Sequence, residues 1–429
     1  MNSAHTVLRY LVAAAVVVLL AGLGGWYYFL KTQGQAIIAT DAGRGLDSPP
    51  PFGSDTGSTY SNVSGTGAGG TSQTQVKAVP RLWHVAKTPV AGMGFVDTTK
   101  SAAATSSSQL YFAERGTGYI LKADTSTGSV TRLTNKLFPK IYEALFNSFG
   151  DVVLRSIDDT GNISSFAGNI PLQDSLASSS PSTPSGSSGA TALSGRYLES
   201  GIRDIAPKPG TRELLLLVPG AGGGADVVIS SWDGTKQKTV FSSPLSGWKL
   251  FSLADGRIFL SLKPSDGAAG YAFEIRNGTL VPRLRNIPGL TFLPYSSSGG
   301  ALFGQSAGGD VSLFFSPKEG AGAVYLPIRT AADKCVWAPP LNKQLIAYCA
   351  VPDNFASQNF LTDWYMGAQH TSDSWWRIDA GTGEVTPLLE PGDTEETFDA
   401  ENPVIDSAGE RIAFMDAEDK SLWILKIQK

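Results

Sequence analysis

Residues Trp248–Leu284 read WKLFSLADGRIFLSLKPSDGAAGYAFEIRNGTLVPRL, and this stretch decides the fold. Runs of β-forming residues such as Ile258–Leu262 alternate with turn pairs, among them Asp255-Gly256 and Asn277-Gly278. Asp-Gly and Asn-Gly pairs between apolar runs are typical of tight hairpin turns, because glycine accepts the positive φ that such turns need. The stretch therefore predicts four short antiparallel strands.

A polar turn that ends in glycine recurs along the chain. It reads DTSTG, DDTG, SWDG, IRNG, PKEG and DAGTG, and its glycines are Gly128, Gly161, Gly234, Gly278, Gly320 and Gly383. The spacings are 33, 73, 44, 42 and 63 residues, and a unit of about 42 fits a four-stranded propeller blade. The two long intervals hold insertions, a loop predicted to be disordered at about 175–195 and an aromatic segment at about 353–374. We therefore predict an all-β fold for residues 77–429, a single β-propeller of seven four-stranded blades.

The two ends of this region are predicted to meet. The last repeat, Asn402–Lys429, supplies three strands instead of four, whereas Val79–Ala86 (VPRLWHVA) is an unpaired strand at the start. Pairing this first strand with the last blade as its outer strand would close the ring and cover an exposed sheet edge.

The amino terminus carries a run with no charged side chain, residues 10–30, between Arg9 and Lys31. A helix of this length is about 31 Å long and spans the hydrocarbon core of a bilayer. We expect a single-pass signal anchor in the cell membrane, with residues 1–9 as a short cytoplasmic tail and the propeller extracytoplasmic, because positive flanks favour the cytoplasm. The alternative is a cleaved signal peptide, with a cleavage site near Gly34–Ala36.

Composition limits the partners. Residues 31–76 are rich in Gly, Ser, Thr and Pro and are predicted to form a disordered stalk. The net charge is −4 and the chain has no basic cluster, so nucleic acid is not expected as a partner. Three scattered histidines offer no metal-ligand spacing, and neither a metal nor a cofactor is predicted.

The two cysteines, Cys335 and Cys349, flank a turn signal at Pro339–Lys343. In a hairpin centred on Asn342, each cysteine lies seven residues from the centre, so the two face each other on one side of two strands. We predict a disulfide, which agrees with an extracytoplasmic location, and keep a pair of free core thiols as the alternative.

Motifs associated with catalysis occur in unsuitable contexts. Residues 304–308 (GQSAG) match the nucleophile-elbow pattern, but the sequence around them predicts a hairpin with no following helix. Residues 65–70 match GxGxxG within the predicted stalk, where no strand and helix flank them. The aspartates of the turns are expected to hydrogen-bond the turn backbone; they are Asp124, Asp158, Asp159, Asp233 and Asp379.

The aromatic insertion is the candidate binding feature. It concentrates Phe355, Phe360, Trp364, Tyr365, Trp375 and Trp376 beside a histidine and an acid. Trp and Tyr are favoured anchors of interfaces and have both an apolar ring and a polar tip. We predict ligand contact by Asp363, Trp364, Tyr365 and His370, with burial of the rings against the propeller as the alternative.

The repeated strand–DxxG–strand units after a membrane anchor resemble bacterial membrane-anchored β-propellers of the WD-repeat-like and Tol-type periplasmic class. The resemblance implies a propeller fold for residues 77–429 and says little about activity. Without a convincing catalytic set, we expect a non-catalytic scaffold that binds a protein or cell-envelope partner. The alternatives are an envelope hydrolase or lyase with a carboxylate site in the funnel, and a structural subunit of a secretion or surface-appendage complex.

Overall fold

The computed structural model describes residues 78–98, 107–170, 192–296, 299–340, 344–355 and 357–427. Within these ranges the strands form seven separate sheets of four antiparallel strands each. The first strands of most neighbouring sheets contact one another, as expected for sheets arranged around an axis. The predicted all-β propeller of seven four-stranded blades is confirmed.

The strands of blades 1 to 3 follow in chain order. Blade 1 has β2 (Val90–Thr98), β3 (Ser107–Glu114), β4 (Ile120–Ala123) and β5 (Val130–Arg132). Blade 2 has β6 (Ile141–Phe146), β7 (Asp151–Ile157), β8 (Ile163–Asn169) and β9 (Ser194–Tyr197). Blade 3 has β10 (Asp204–Pro207), β11 (Glu213–Pro219), β12 (Ala225–Ser231) and β13 (Lys238–Ser243).

Blades 4 to 7 complete the ring. Blade 4 has β14 (Trp248–Ser252), β15 (Ile258–Leu262), β16 (Ala269–Arg276) and β17 (Thr279–Pro288). Blade 5 has β18 (Thr291–Pro294), β19 (Ala301–Ala307), β20 (Asp310–Ser316) and β21 (Val324–Arg329). Blade 6 has β22 (Cys335–Trp337), β23 (Ile346–Pro352), β24 (Asp373–Asp379) and β25 (Glu384–Leu389). Blade 7 has β26 (Ala400–Ile405), β27 (Arg411–Asp416), β28 (Leu422–Lys426) and β1 (Leu82–Ala86).

Strand direction divides the propeller into two faces. We name the four strand positions of a blade A to D, from the axis outward. Because the strands are antiparallel, every A strand starts at the end where the B–C turns and the D–A connections lie. We call this end the upper face. The A–B and C–D turns lie at the other end, the lower face.

Among the described residues, seven hydrophobic clusters form the core of the ring, one between each pair of neighbouring blades. Strand β11 shows how a single strand contributes side chains to two clusters. Leu214 and Leu216 pack toward blade 2, whereas Leu215 and Leu217 pack toward blade 4. Alternate side chains of a strand point to opposite faces, so a strand buried on both faces is a continuous apolar run.

The ring closes as predicted. Strand β1 pairs with β28 as the outer strand of blade 7, in a register that sets Leu82 opposite Leu425 and His84 opposite Trp423. The imidazole of His84 stacks on the Trp423 ring, with 3.8 Å between the ring centroids. The terminal blade therefore gains its missing strand from the start of the propeller sequence.

Several predictions concern residues outside the described ranges. These include the cytoplasmic tail (1–9), the membrane anchor (10–30), the stalk (31–76) and the GxGxxG match. Most of the loop at about 175–195 is also outside, but its end is described, since β9 begins at Ser194. Among the helices of the described ranges, none has the length and apolar character needed to cross a bilayer.

The recurring polar turn occupies the same position in a blade at five of its six glycines and a different position at the sixth. Five of the six lie in C–D turns. One of these five is Gly278, which has φ 73° beside Asn277 at φ 50°, the backbone of an Asn-Gly hairpin turn. Gly161 instead lies in the B–C turn of blade 2, between β7 and β8. Both kinds of turn need a left-handed residue, so the same motif occurs at both, and the 33- and 73-residue spacings do not measure a blade.

The turn aspartates mostly bond to the backbone, as predicted. The Asp124 carboxylate accepts a hydrogen bond from the Ser126 backbone N–H at 2.8 Å. Asp158, Asp233 and Asp379 make equivalent bonds two residues along. Asp159 is the exception, since its carboxylate pairs with the Lys140 ammonium.

The predicted disulfide is confirmed. Cys335 and Cys349 lie directly opposite each other on β22 and β23, with 4.0 Å between their Cα atoms, and their sulfurs are bonded. The bond joins the two innermost strands of blade 6, the blade that carries the aromatic insertion.

Candidate functional site

The aromatic insertion forms the B–C connection of blade 6 and therefore lies on the upper face. It contains helix α1 (Phe360–Tyr365). Phe360, Leu361 and Trp364 are buried and pack together with Val311 and Ala331 of the propeller. The sequence left open that the rings of the insertion are buried against the propeller, and this is the case for Phe360 and Trp364.

Two side chains of the same segment point outward. Tyr365 is 41% exposed and Met366 is 68% exposed. Successive residues of a helix are about 100° apart around its axis, so Tyr365 and Met366 are turned away from the side on which Trp364 is buried. The insertion therefore exposes the apolar side chains of Tyr365 and Met366, while its other side is buried against the propeller.

Blade 4 holds the start of the helix. The Thr362 backbone N–H donates to the Asp266 carboxylate at 2.8 Å, and the Asp266 backbone N–H donates to the Thr362 hydroxyl at 3.2 Å. Backbone donors in the first turn of a helix have no partner within the helix, and a carboxylate beside them satisfies one. Because Asp266 lies in the B–C turn of blade 4, this contact ties the insertion of blade 6 to a non-adjacent blade.

A buried ion network supports the other side of the insertion. The Lys334 ammonium has no solvent exposure and lies between the carboxylates of Asp373 and Asp399. It is 2.6 Å from Asp373 Oδ2, and it also lies 4.7 Å from the centroid of the Trp364 ring. The Trp364 indole N–H donates to both oxygens of Asp399, at 2.9 and 3.0 Å. The network thereby joins the entries to blades 6 and 7 with the insertion.

Burial and the Lys334 charge act in opposite directions on the two carboxyl groups. Burial is the largest influence at Asp373 and raises its pKa above the ordinary value. Burial also acts on Asp399, but the charge of Lys334 and the hydrogen bonds from Lys334, Trp364 and Thr371 hold its pKa below the ordinary value. Asp399 is therefore ionised at neutral pH and pairs with the lysine.

A pocket of about 210 Å³ opens beside this network at the upper face. Its walls contain two ion pairs, Lys249 with Asp333 and Lys420 with Glu401, the second at 2.9 Å. The lining residues are Lys249, Asp333, Trp364, Tyr365, Gly367, His370, Glu401, Asn402, Ala417 and Lys420. They come from blades 4, 6 and 7 and from the insertion.

Strand β26 is irregular where it borders the pocket. The pairing with β27 shifts register between Glu401 and Val404, and Asn402 has φ 50°. A bulge of this kind re-aims side chains, and a non-glycine residue in the left-handed region carries a conformational cost. The bulge places Glu401 and Asn402 together on the pocket wall.

Tyr365 is fixed at the rim. Its hydroxyl donates to the Asp333 carboxylate, and its ring packs edge-to-face on Trp364 with 5.0 Å between centroids. Although part of the ring is exposed, burial of the hydroxyl and the adjacent Asp333 charge raise the pKa of Tyr365 well above its ordinary value. The phenol therefore remains a neutral donor.

The structure brings together three of the four predicted contact residues. Trp364, Tyr365 and His370 line the pocket, and His370 Nδ1 lies 3.2 Å from Asp399 Oδ2. Asp363 is not among the lining residues, and its carboxylate accepts a hydrogen bond from the Ser357 hydroxyl at 2.6 Å. Trp364 is buried, so Tyr365 and His370 are the members accessible to a ligand.

Sequence reasoning missed the charged half of the pocket. Lys249, Asp333, Glu401 and Lys420 are distant in sequence and match no motif. These residues can be found once the first strand of each blade is known. Lys249, Lys334 and Glu401 each occur within two residues of the start of an A strand. Residues at these starts converge at the upper end of the axis.

The chemistry of the pocket is that of paired ions. Among the described residues, those lining it include neither serine nor cysteine, and each lining carboxylate is bonded to a lysine. No group of three or more His, Cys, Asp or Glu side chains in the described ranges could hold a metal ion. The arrangement suits hydrogen bonding to a polar ligand.

The GQSAG motif belongs to a hairpin, as predicted. Gly304 and Ser306 lie in β19, and β20 follows after a two-residue turn. Ser306 is 2% exposed, and its hydroxyl donates to the Asp266 carboxylate. It supports the anchor of α1 and is not exposed as a nucleophile.

Comparison with known proteins identifies no family. No protein-family model matches the chain, and no curated protein matches it. YCF48 from Cyanidioschyzon merolae is similar at 9% identity and a TM-score of 0.48, over 82% of this chain and 98% of its own. The tricorn protease has 8% identity and a TM-score of 0.47, over 82% of this chain and 34% of its own.

The β-propeller domain of the Trilobed protease from Pyrococcus furiosus is also similar. It has 10% identity and a TM-score of 0.45, over 78% of this chain and 95% of its own. At these identities and TM-scores, the similarities carry no information on activity, ligand or partner.

Proposed function

We propose that this protein is a membrane-anchored, extracytoplasmic β-propeller that binds a protein or cell-envelope ligand at its upper face without transforming it. The observation that carries the proposal is the fixed position of the exposed Tyr365 ring. An exposed ring is held at the rim of a polar pocket by a helix that is fixed on one side by Asp266 and on the other by the Lys334 network. Rigid aromatic anchors beside polar groups are typical of binding sites.

The location rests on two features. The uncharged run at residues 10–30 supports an anchor, and the Cys335–Cys349 disulfide supports an oxidising compartment. Strand β1 is a D strand and therefore begins at the lower face. The start of β1 is thus on the opposite side of the propeller from the pocket.

The test compares two exposed tyrosines in the full-length chain. Ligands that co-purify with the wild-type protein after cross-linking in its own membrane should be lost in Tyr365→Ala. They should be retained in Tyr325→Ala, which removes a 55% exposed ring from the outer strand β21 of blade 5. Equal recovery of the same ligands with wild type and both variants would show that the upper face is not the binding site.

One observation favours the catalytic alternative. The His370–Asp399 pair lies beside the carboxylates of Asp333 and Glu401, an arrangement that could transfer a proton in an envelope hydrolase or lyase. Incubating the purified protein with isolated cell envelope and analysing released products by mass spectrometry tests this. Product release that disappears in His370→Asn would replace the binding proposal with the enzymatic one.

A further inference from the structure

The charges of the pocket are already matched within the protein. Lys249 pairs with Asp333, and Lys420 pairs with Glu401, so the four groups that line the wall sum to zero charge. An anionic or cationic ligand would have to compete with one of these pairs. A hydroxyl group can donate to a carboxylate and accept from an ammonium at the same time, so it can bond to both members of a pair from the side without breaking the pair.

The pocket suits one ring-sized group. Its 210 Å³ is below the range of about 300–1,000 Å³ that is typical of sites for drug-sized molecules. At about 30 Å³ per water molecule, it holds the volume of about seven waters. A longer ligand would place its end in the pocket and continue past the rim.

The rim adds a platform for an apolar face. The Tyr365 ring is held by its bond to Asp333 and by the edge of Trp364, so little conformational freedom remains to be lost on binding. A sugar ring offers hydroxyl groups at its edge and C–H groups on its faces. It matches a pocket that combines paired ions, the amide of Asn402 and an exposed aromatic ring.

We propose that the pocket beside Tyr365 binds a neutral sugar residue at the end of a glycan chain. This inference rests on the proposed binding function and names its ligand class. The hydroxyl groups bond to the Lys249–Asp333 and Lys420–Glu401 pairs, and the ring stacks on Tyr365.

The experiment uses the full-length protein in detergent and an array of neutral, acidic and amino oligosaccharides, followed by calorimetry with the neutral oligosaccharide that binds best. Neutral chains should bind in preference to their acidic and amino counterparts. Tyr365→Ala should weaken binding at least tenfold, and Glu401→Gln should weaken it as well. Met366→Ala is the matched control, because Met366 is exposed next to Tyr365 but does not line the pocket.

Salt provides a second readout. Exposed charges are screened as ionic strength rises, whereas hydrogen bonds to a neutral ligand are much less affected. The affinity should therefore change less than twofold between 50 mM and 500 mM NaCl. Binding restricted to acidic or amino glycans, or an affinity that falls steeply with salt, would overturn the sugar assignment.

The outcomes separate this inference from the proposal on which it rests. If no neutral glycan binds but Tyr365→Ala still loses the cross-linked ligand, the sugar assignment fails and the binding function stands. If Tyr365→Ala changes neither glycan binding nor cross-linking, both fail.

Discussion

A single buried lysine organises the upper face at the scale of the residue. Lys334 bonds to two carboxylates, one in blade 6 and one at the entry to blade 7, and lies over the indole of the insertion. Removing an ammonium from water is costly, and the cost is offset only where its partners are close and well placed. The position of Tyr365 thus depends on a side chain that no ligand can reach.

Replacing this lysine should strongly destabilise the fold. Lys334→Met leaves Asp373 and Asp399 buried without a counter-ion, and loss of one partner from such a network costs about 3–5 kcal/mol. Urea unfolding followed by tryptophan fluorescence measures the change. Lys140→Met, which removes an exposed ion pair with Asp159, should cost about 1 kcal/mol or less. A Lys334→Met protein as stable as this control would show that the buried network contributes little.

The sequence predicted where the site lies in the chain, but it did not predict which side chains of the insertion face the pocket. The density of aromatic residues marked the insertion, yet Asp363, Trp364 and Tyr365 are consecutive and have three different environments. A short helix turns each neighbour by about 100°, and only contact with the propeller decides which side is buried. Lys334 was out of reach because its partner Asp399 lies 65 residues away, and the ring brings the two together.

At the scale of the element, the β22–β23 hairpin has a covalent cross-link where the insertion begins. The cysteines are 14 residues apart, and both lie in the cluster between blades 5 and 6. A cross-link mainly restricts the unfolded chain, so its effect is on stability and less on the folded geometry. The hairpin could be predicted because the turn signal lies at its centre.

Removing the disulfide should lower stability without changing the binding site. Cys335→Ala together with Cys349→Ala is expected to reduce the free energy of unfolding by about 3 kcal/mol, the entropy-model value for a loop of this size. Chemical denaturation of the oxidised wild type and the double variant gives the difference. Wild-type stability in the double variant would mean that strand pairing alone restricts this hairpin.

The stability contributed by the closing strand β1 should decrease at acidic pH. Burial against Trp423, followed by the charge of Lys87, lowers the pKa of His84, while Asp419 and Glu396 act in the opposite direction. Because the pKa of His84 is lower in the folded protein than in the unfolded chain, the unfolded chain binds a proton first as pH falls. Stability should therefore be constant above about pH 6.5 and decrease below it. Thermal melts of wild type and His84→Phe between pH 5 and 8 test this, because the variant should lose part of the decrease.

At the scale of the whole molecule, seven similar sheets form a ring that depends on its first strand. Blade number and closure could be predicted because every blade repeats the same strand and turn chemistry, and because the last repeat was one strand short. The position of each recurring turn within its blade could not be predicted. Gly161 shows why, since any tight turn favours a left-handed glycine wherever it lies in the blade.

Deleting the closing strand should destabilise the ring. A chain that starts after Ala86 loses Leu82 and Trp83, which pack on the clusters at either side of blade 7, and exposes the edge of β28. We expect the melting temperature to fall by more than about 5 °C. A chain that starts at residue 78 keeps β1 and should melt within about 1 °C of a chain that starts at residue 74. Similar melting of all three would contradict closure by β1.

Strand β1 also determines how the molecule responds to a mechanical load. It begins at the lower face and runs antiparallel beside β28 to the upper face. Tension between its amino-terminal end and a ligand held on the upper face acts along the strand, so the hydrogen bonds that join β1 to β28 are loaded in shear and share the force. A pull at right angles would break them one at a time, as a zipper opens. The ring is thus built to resist a load that acts along β1.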